Sequence, residues 1–235
     1  MHLILQWASL QPRILYDEHI VRDGLDRYKV LVMPCCDVLT TRVADAVKAF
    51  QRRGGIVIAD EFLCPAIAPD ILIPSCGDTG EAQERKAELL AAAARLRTEL
   101  DPFYRRYADS ANPEVVPRVR RYGSTDYLFA VNDYRTYGDY VGHHRKVMEK
   151  GLPSQTVLTL QRRGGAVYDL VSHREVPATA HGGTLSIPAE FGPGDGRLLM
   201  VTEKPIRAVV CDGPKQVARG GSAAVQVQIK ASLLD

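Results

Sequence analysis

Lys29-Val30-Leu31-Val32-Met33-Pro34 and Ile56-Val57-Ile58-Ala59 decide the fold. Each is a short, unbroken apolar run rich in β-branched residues, the pattern of a strand covered on both faces. Between them Val43, Ala46, Val47 and Phe50 recur at helical spacing, with Asp45, Lys48 and Arg52 on the opposite face. Thr40 or Thr41 offers an N-cap hydroxyl, and Gly54-Gly55 a left-handed helix end. Strand, helix and strand in this order form a βαβ unit with a right-handed crossover.

Working outward, Leu3, Ile4, Trp7 and Leu10 keep helical spacing up to Pro12. Residues 13–18 read as a strand and 21–28 as a polar loop. A doubly wound sheet opens with a strand before its first helix; none is present, so the chain is expected to start late. Residues 62–80 carry Pro65, Pro69, Pro74, Gly77 and Gly80 and read as a loop. Residues 81–100 form a helix striped by Leu89, Ala93, Leu96 and Leu100, and Asp101 is placed to cap a second short helix from Pro102. The stripe docks on the chain's own core or, alternatively, on a partner.

From about residue 117 the period becomes alternating. Strands are expected at 126–132, 155–161, 166–171, 184–187, 197–202, 206–211 and 223–230, separated by Gly/Pro/Asp clusters as in an antiparallel β-sandwich. Arg162-Arg163-Gly164-Gly165 is expected to be a hairpin turn. The last strands read as the opening of a further module, so the chain is also expected to end early. The expected fold class is thus α/β plus β: a partial flavodoxin-like parallel sheet over 1–80, a helical connector over 81–116 and a β-sandwich over 117–235, with a further β module from about 204.

A net charge of +2 with both signs interspersed gives no electrostatic case for nucleic acid or an anionic membrane. No run is long and apolar enough to span a bilayer, and Met1–Trp7 lacks the form of a signal peptide, so a cytoplasmic location is expected. The five cysteines (Cys35, Cys36, Cys64, Cys76 and Cys211) lack CxxC spacing, which argues against a disulfide framework or a zinc site. No metal and no cofactor is expected.

Asp60-Glu61 and Cys35-Cys36-Asp37 fall at the carboxyl ends of adjacent parallel strands, where open α/β sheets bind ligands. Close carboxylates there suit acid/base work or a sugar hydroxyl, and equally the solvated end of any strand. Cys36 and Cys64 are the candidate thiols. Tyr134, Tyr137, Tyr140, His143 and His144 share an insertion over 133–153; tyrosines there suit stacking on sugar rings or anchoring an interface, and equally a packed loop. Adjacent histidines are not a standard metal pair.

Tyr28-Lys-Val-Leu-Val-Met-Pro, the helix at 41–50 and Arg53-Gly-Gly-Ile-Val-Ile-Ala resemble the β-galactosidase trimerisation domain, a glutamine-amidotransferase-like, flavodoxin-type unit that follows a catalytic (β/α)8 barrel. Val167-Tyr-Asp-Leu-Val and Gly196-Arg-Leu-Leu-Met-Val are similar to the C-terminal β-sandwich of many glycosidases. The resemblance implies that the catalytic carboxylates lie on a barrel that does not fit in this chain. The amidotransferase nucleophile elbow, Gly-x-Cys-x-Gly, is replaced by Asp60-Glu61-Phe62-Leu63-Cys64-Pro65. The implied function is a non-catalytic accessory region of a glycoside hydrolase, partnered by a parent enzyme's barrel or by copies of itself, with carbohydrate contact. The alternatives are a small cysteine-dependent hydrolase and an oligomerisation module.

Overall fold

The computed structural model describes residues 1–75, 82–141 and 147–231, and the chain divides into two compact units, 1–106 and 107–235. In the first unit the order is α1 (His2–Trp7), α2 (Asp17–Asp23), β1 (Val30–Met33), α3 (Thr41–Arg52), β2 (Ile56–Ala59), β3 (Ile71–Leu72) and α4 (Ala82–Leu100). The strands form a parallel sheet in the order β1-β2-β3, with Val30 opposite Ile56 and Met33 opposite Ala59. Alternation divides the side chains between two cores. Leu31, Met33, Val57 and Ala59 meet Ile20 of α2 and Val43, Val47 and Phe50 of α3. Val30, Val32, Ile56 and Ile58 meet Ile4 and Trp7 of α1 and Ala93, Leu96 and Leu100 of α4.

The decisive βαβ unit forms as its residues dictate. The Thr40 hydroxyl accepts the Val43 amide at 3.4 Å, and Gly54 takes a left-handed φ of 87° after the helix. Gly55 must lack a side chain, because a Cβ there would run into the buried Phe50 ring. Elsewhere in the unit three expectations are corrected. Residues 13–16 form no strand: among the described residues they find no pairing partner, and α2 begins at Asp17 with Asp17 and Glu18 in its first turn, where acidic side chains favour a helix start. The expected loop at 21–28 therefore begins inside a helix. No second helix follows Pro102; the chain makes a tight turn in which the amides of Phe103 and Tyr104 donate to Leu100, and Asp101 pairs with Arg106 instead of capping. The α4 stripe, part of an expected connector, lies buried in this unit's own core through Ala93, Leu96 and Leu100.

The second unit contains β4 (Ala108–Ser110), β5 (Val115–Tyr122), β6 (Thr125–Asn132), β7 (Arg135–Val141), β8 (Val147–Gly151), β9 (Ser154–Leu160), β10 (Ala166–Asp169), β11 (Arg174–Val176), β12 (Thr179–His181), β13 (Thr184–Phe191), β14 (Gly196–Thr202), β15 (Ala208–Asp212) and β16 (Gln226–Lys230). A five-stranded sheet, β11-β10-β14-β6-β5, faces a four-stranded one, β12-β13-β9-β4. Leu128, Val167, Leu199 and Val201 of the first interdigitate with Leu158, Leu160, Leu185 and Ile187 of the second. This is the expected sandwich, begun earlier, at Ala108. Pro117 masked β5 in the sequence; it is tolerated because β5 is the edge strand of its sheet among the described residues. Residues 162–165 are not a hairpin turn. They carry the chain from β9 in one sheet to β10 in the other, and Gly165 is held where a Cβ would stand 2.5 Å from the Thr202 carbonyl oxygen.

Candidate functional site

The carboxyl ends of β1 and β2 bring together the residues singled out in the sequence, and hydrogen bonds close them on themselves. Asp60 is 3% exposed. Its Oδ2 accepts the Cys35 amide at 2.8 Å, and its Oδ1 accepts the Phe62 amide at 3.1 Å. These bonds hold Cys35 at a φ of 51°, a left-handed conformation that a side chain ordinarily avoids. The Cys35 thiol donates to Oδ2 at 3.5 Å. Glu61 bonds the Ser75 hydroxyl and accepts the Ser75 amide at 2.9 Å, and Ser75 holds its carboxyl below the usual range. The Cys64 amide donates to the Cys36 carbonyl at 2.8 Å, locking the two loops together.

Two of these thiols, Cys35 and Cys36, sit in an environment that suppresses the thiolate. Hydrogen bonding to Asp60, then burial, then the Asp60 charge push the Cys35 thiol up. Burial, then Asp60, push Cys36 up. An activated cysteine needs the opposite: a cation, a metal or a helix N-terminus nearby. Cys76 lies outside the described residues.

The tyrosine insertion is a two-stranded ribbon, β7 with β8, in which Thr136 faces Lys150 and Arg135 pairs with Glu149 at 2.5 Å. Its base is fixed by buried Asn132, whose Nδ2 donates to the carbonyls of Leu152 and Gly192, both at 2.7 Å, and whose Oδ1 accepts the Tyr134 amide at 3.2 Å. Tyr137 lies opposite Glu149 in the register and Tyr140 lies further along β7. His143 and His144 lie outside the described residues. The ribbon and the Asp60-Glu61 edge belong to different units.

Sequence reasoning passed over a third cluster. Asp126, with no solvent exposure, accepts Arg121 Nε at 2.7 Å, Arg162 Nη1 at 2.8 Å and the Tyr107 hydroxyl at 2.5 Å. The Arg121 guanidinium lies 4.8 Å from the centre of the Tyr107 ring. Burial alone raises the Asp126 carboxyl, but the bonds from Arg121, Tyr107 and Arg162 outweigh it and the net shift is downward. The cluster ties β5 and β6 to the chain segment that crosses between the sheets. A signal was available: Asp126 shares the inward parity of Leu128, Ala130 and Asn132 on β6. Among the described residues no group of three or more His, Cys, Asp or Glu is placed to hold a metal ion, and no helix is long and apolar enough to cross a membrane.

No protein-family model and no curated protein matches this sequence. Solved structures do match. The chain superposes over 86% of its length on 44% of the α-L-fucosidase isoenzyme 2 from Paenibacillus thiaminolyticus, with a TM-score of 0.59 and 12% identity. It superposes over 86% of its length on 35% of Gan42B, a GH42 β-galactosidase from G. stearothermophilus, with a TM-score of 0.50 and 13% identity. An α/β unit followed by a β-sandwich, as in this chain, is thus a fold found within glycoside hydrolase chains, less than half of whose length it spans.

Proposed function

We propose that this chain is a non-catalytic accessory region of a glycoside hydrolase, its α/β unit akin to a trimerisation domain and its work assembly and contact with carbohydrate. The observation that carries this reading is the closure of the sheet's carboxyl edge. An α/β enzyme presents its reacting groups there. In this chain Asp60 and Glu61 use their oxygens to hold the loops of Cys35, Phe62 and Ser75, and the neighbouring thiols are pushed toward the neutral form. The fold shared with the fucosidase and the β-galactosidase supports the class of parent enzyme. The test is turnover of a panel of p-nitrophenyl glycosides by the purified chain, beside a D60N/E61Q double variant. Equal, background-level hydrolysis by both is expected. Hydrolysis by the unaltered chain that disappears in a folded double variant would overturn the reading.

A further inference from the structure

The outer face of the five-stranded sheet sets two arginines beside aromatic rings. Alternation along β5, β6 and β14 sends Val119, Leu128, Leu199 and Val201 into the sandwich core and leaves the residues between them on the far face. There the register lines up two rows: Arg118, Phe129 and Leu198 in one, and Arg120, Tyr127 and Met200 in the next. Phe129 is 41% exposed, and Arg120 is exposed on β5, at the sheet's edge among the described residues.

Other arginines of this sandwich are met by buried carboxylates: Arg121 and Arg162 by Asp126, and Arg197 by Asp169. Among the described residues Arg118 and Arg120 have no such partner, although Arg118 is half-buried. Burial, then the Arg120 charge, push the Arg118 guanidinium down. Two like charges on one strand face, one of them partly desolvated, work against the fold, and an anion held between them would remove that penalty. A chain of net charge +2 with two free cations on this face has too little charge to follow a phosphate backbone. The rings and the Leu198 and Met200 side chains beside the arginines form an apolar floor, which suits the flat C–H face of a sugar ring.

We propose that this face binds an acidic oligosaccharide, with Arg118 and Arg120 holding a sugar carboxylate or sulfate while Tyr127 and Phe129 stack on the adjoining rings. The planar guanidinium fork matches either anion through paired hydrogen bonds. The assignment rests on the functional reading above and deepens it, by naming the class of carbohydrate.

The test is calorimetric titration of the full chain with oligosaccharides of matched length: an oligogalacturonate, a sulfated galactan fragment and a neutral β-1,4-galactan fragment. At least one acidic ligand is expected to bind about tenfold or more tighter than the neutral one, and the two acidic arms tell carboxylate from sulfate. R118Q/R120Q should lose that preference without lowering the unfolding midpoint, because the fold gives these charges no partner. R118K/R120K, which keeps the charge and loses the fork, should also bind the acidic ligand more weakly. R163Q, which removes an exposed arginine from the segment between the sheets, should bind as the unaltered chain does. The assignment is overturned by equal affinity for acidic and neutral ligands, by binding of none of them, by acidic binding that persists in R118Q/R120Q, by an equal loss in R163Q (net charge alone), or by tighter binding of a single-stranded oligonucleotide. None of these outcomes touches the absence of catalysis, which the glycoside panel tests by itself; turnover there would overturn the functional reading instead.

Discussion

Asp60 and Asp126 show how one residue type does two structural jobs. Asp60 holds backbone: two amides and a thiol converge on it, and it keeps Cys35 in a left-handed conformation. In D60N one carboxylate oxygen and the negative charge are lost, and with them the main causes that raise the Cys35 thiol. Alkylation by iodoacetamide at pH 8, resolved by peptide mass mapping, should therefore become several-fold faster at Cys35, at roughly tenfold per unit of pKa lowered. An unchanged rate in a folded D60N variant would separate the thiol from this carboxylate. Asp126 instead joins side chains. Replacing it by Asn leaves Arg162, only 14% exposed, beside a neutral amide, while Arg121, 54% exposed, can turn to water. Losing charged hydrogen bonds at a buried site costs about 2–4 kcal/mol, to be read from urea unfolding of D126N; a loss below about 1 kcal/mol would mark the cluster as a surface feature. R121K should cost less, since the Arg121 side chain is half exposed and a lysine there keeps the charge.

At the scale of elements, what depended on local period was legible and what depended on pairing was not. The β1-α3-β2 unit announced itself because strand burial, the Thr40 cap and the Gly54-Gly55 end are written within a few residues of one another. Residues 13–16 have the composition of a strand but pair with no strand among the described residues, and composition cannot supply a partner. Arg162-Arg163-Gly164-Gly165 has the look of a turn, yet nothing local says that the chain leaves one sheet for the other; Thr202, whose carbonyl oxygen requires Gly165, lies far along the sequence. The candidate site divides in the same way. Asp60 and Glu61 were identifiable as strand-end carboxylates, but their engagement with Cys35 and Ser75 depends on loops that cross in space. The final hairpin gives an element-scale prediction. Val209, Val210, Val227 and Ile229 of β15 and β16 are exposed, and the pair contributes no residue to the sandwich core. A variant ending at Pro205 loses the bond from the Ile206 amide to the Tyr168 hydroxyl, 2.7 Å, and almost nothing else of the core. Its urea midpoint should fall by less than about 1 kcal/mol in stability, and light scattering should show less aggregation, as exposed apolar strand edges promote association. A collapse of the midpoint would make the hairpin part of the fold.

At the scale of the whole molecule, the buried carboxylates are unevenly distributed, and acid should find the difference. In the sandwich, Asp126 and Asp169 are both buried and both titrate below the ordinary range. For Asp169, burial acts upward but is outweighed by the amides of Ser172 and Val171 and by Arg197. A carboxyl whose folded pKa is depressed contributes stability that is fully present above its unfolded value, about 3.9, and disappears as pH falls toward the folded pKa. Both groups therefore weaken the sandwich below about pH 4. In the α/β unit the carboxyls held low are Asp23, bonded by Arg22, and Glu61, bonded by Ser75; both are exposed and so add little to stability. The chain supplies separate reporters for the two units. Its one tryptophan, Trp7, is buried in the α1–α4 core, while the sandwich dominates the β-sheet content. On acidification from pH 6 to pH 2, the β-sheet circular dichroism should be lost at a higher pH than the Trp7 fluorescence changes. In D126N, which has one linked carboxyl fewer, the β-sheet signal should depend less steeply on pH while being weaker throughout. Coincident loss of both signals, or an unaltered pH slope in D126N, would show that acid stability is set by groups other than these two aspartates.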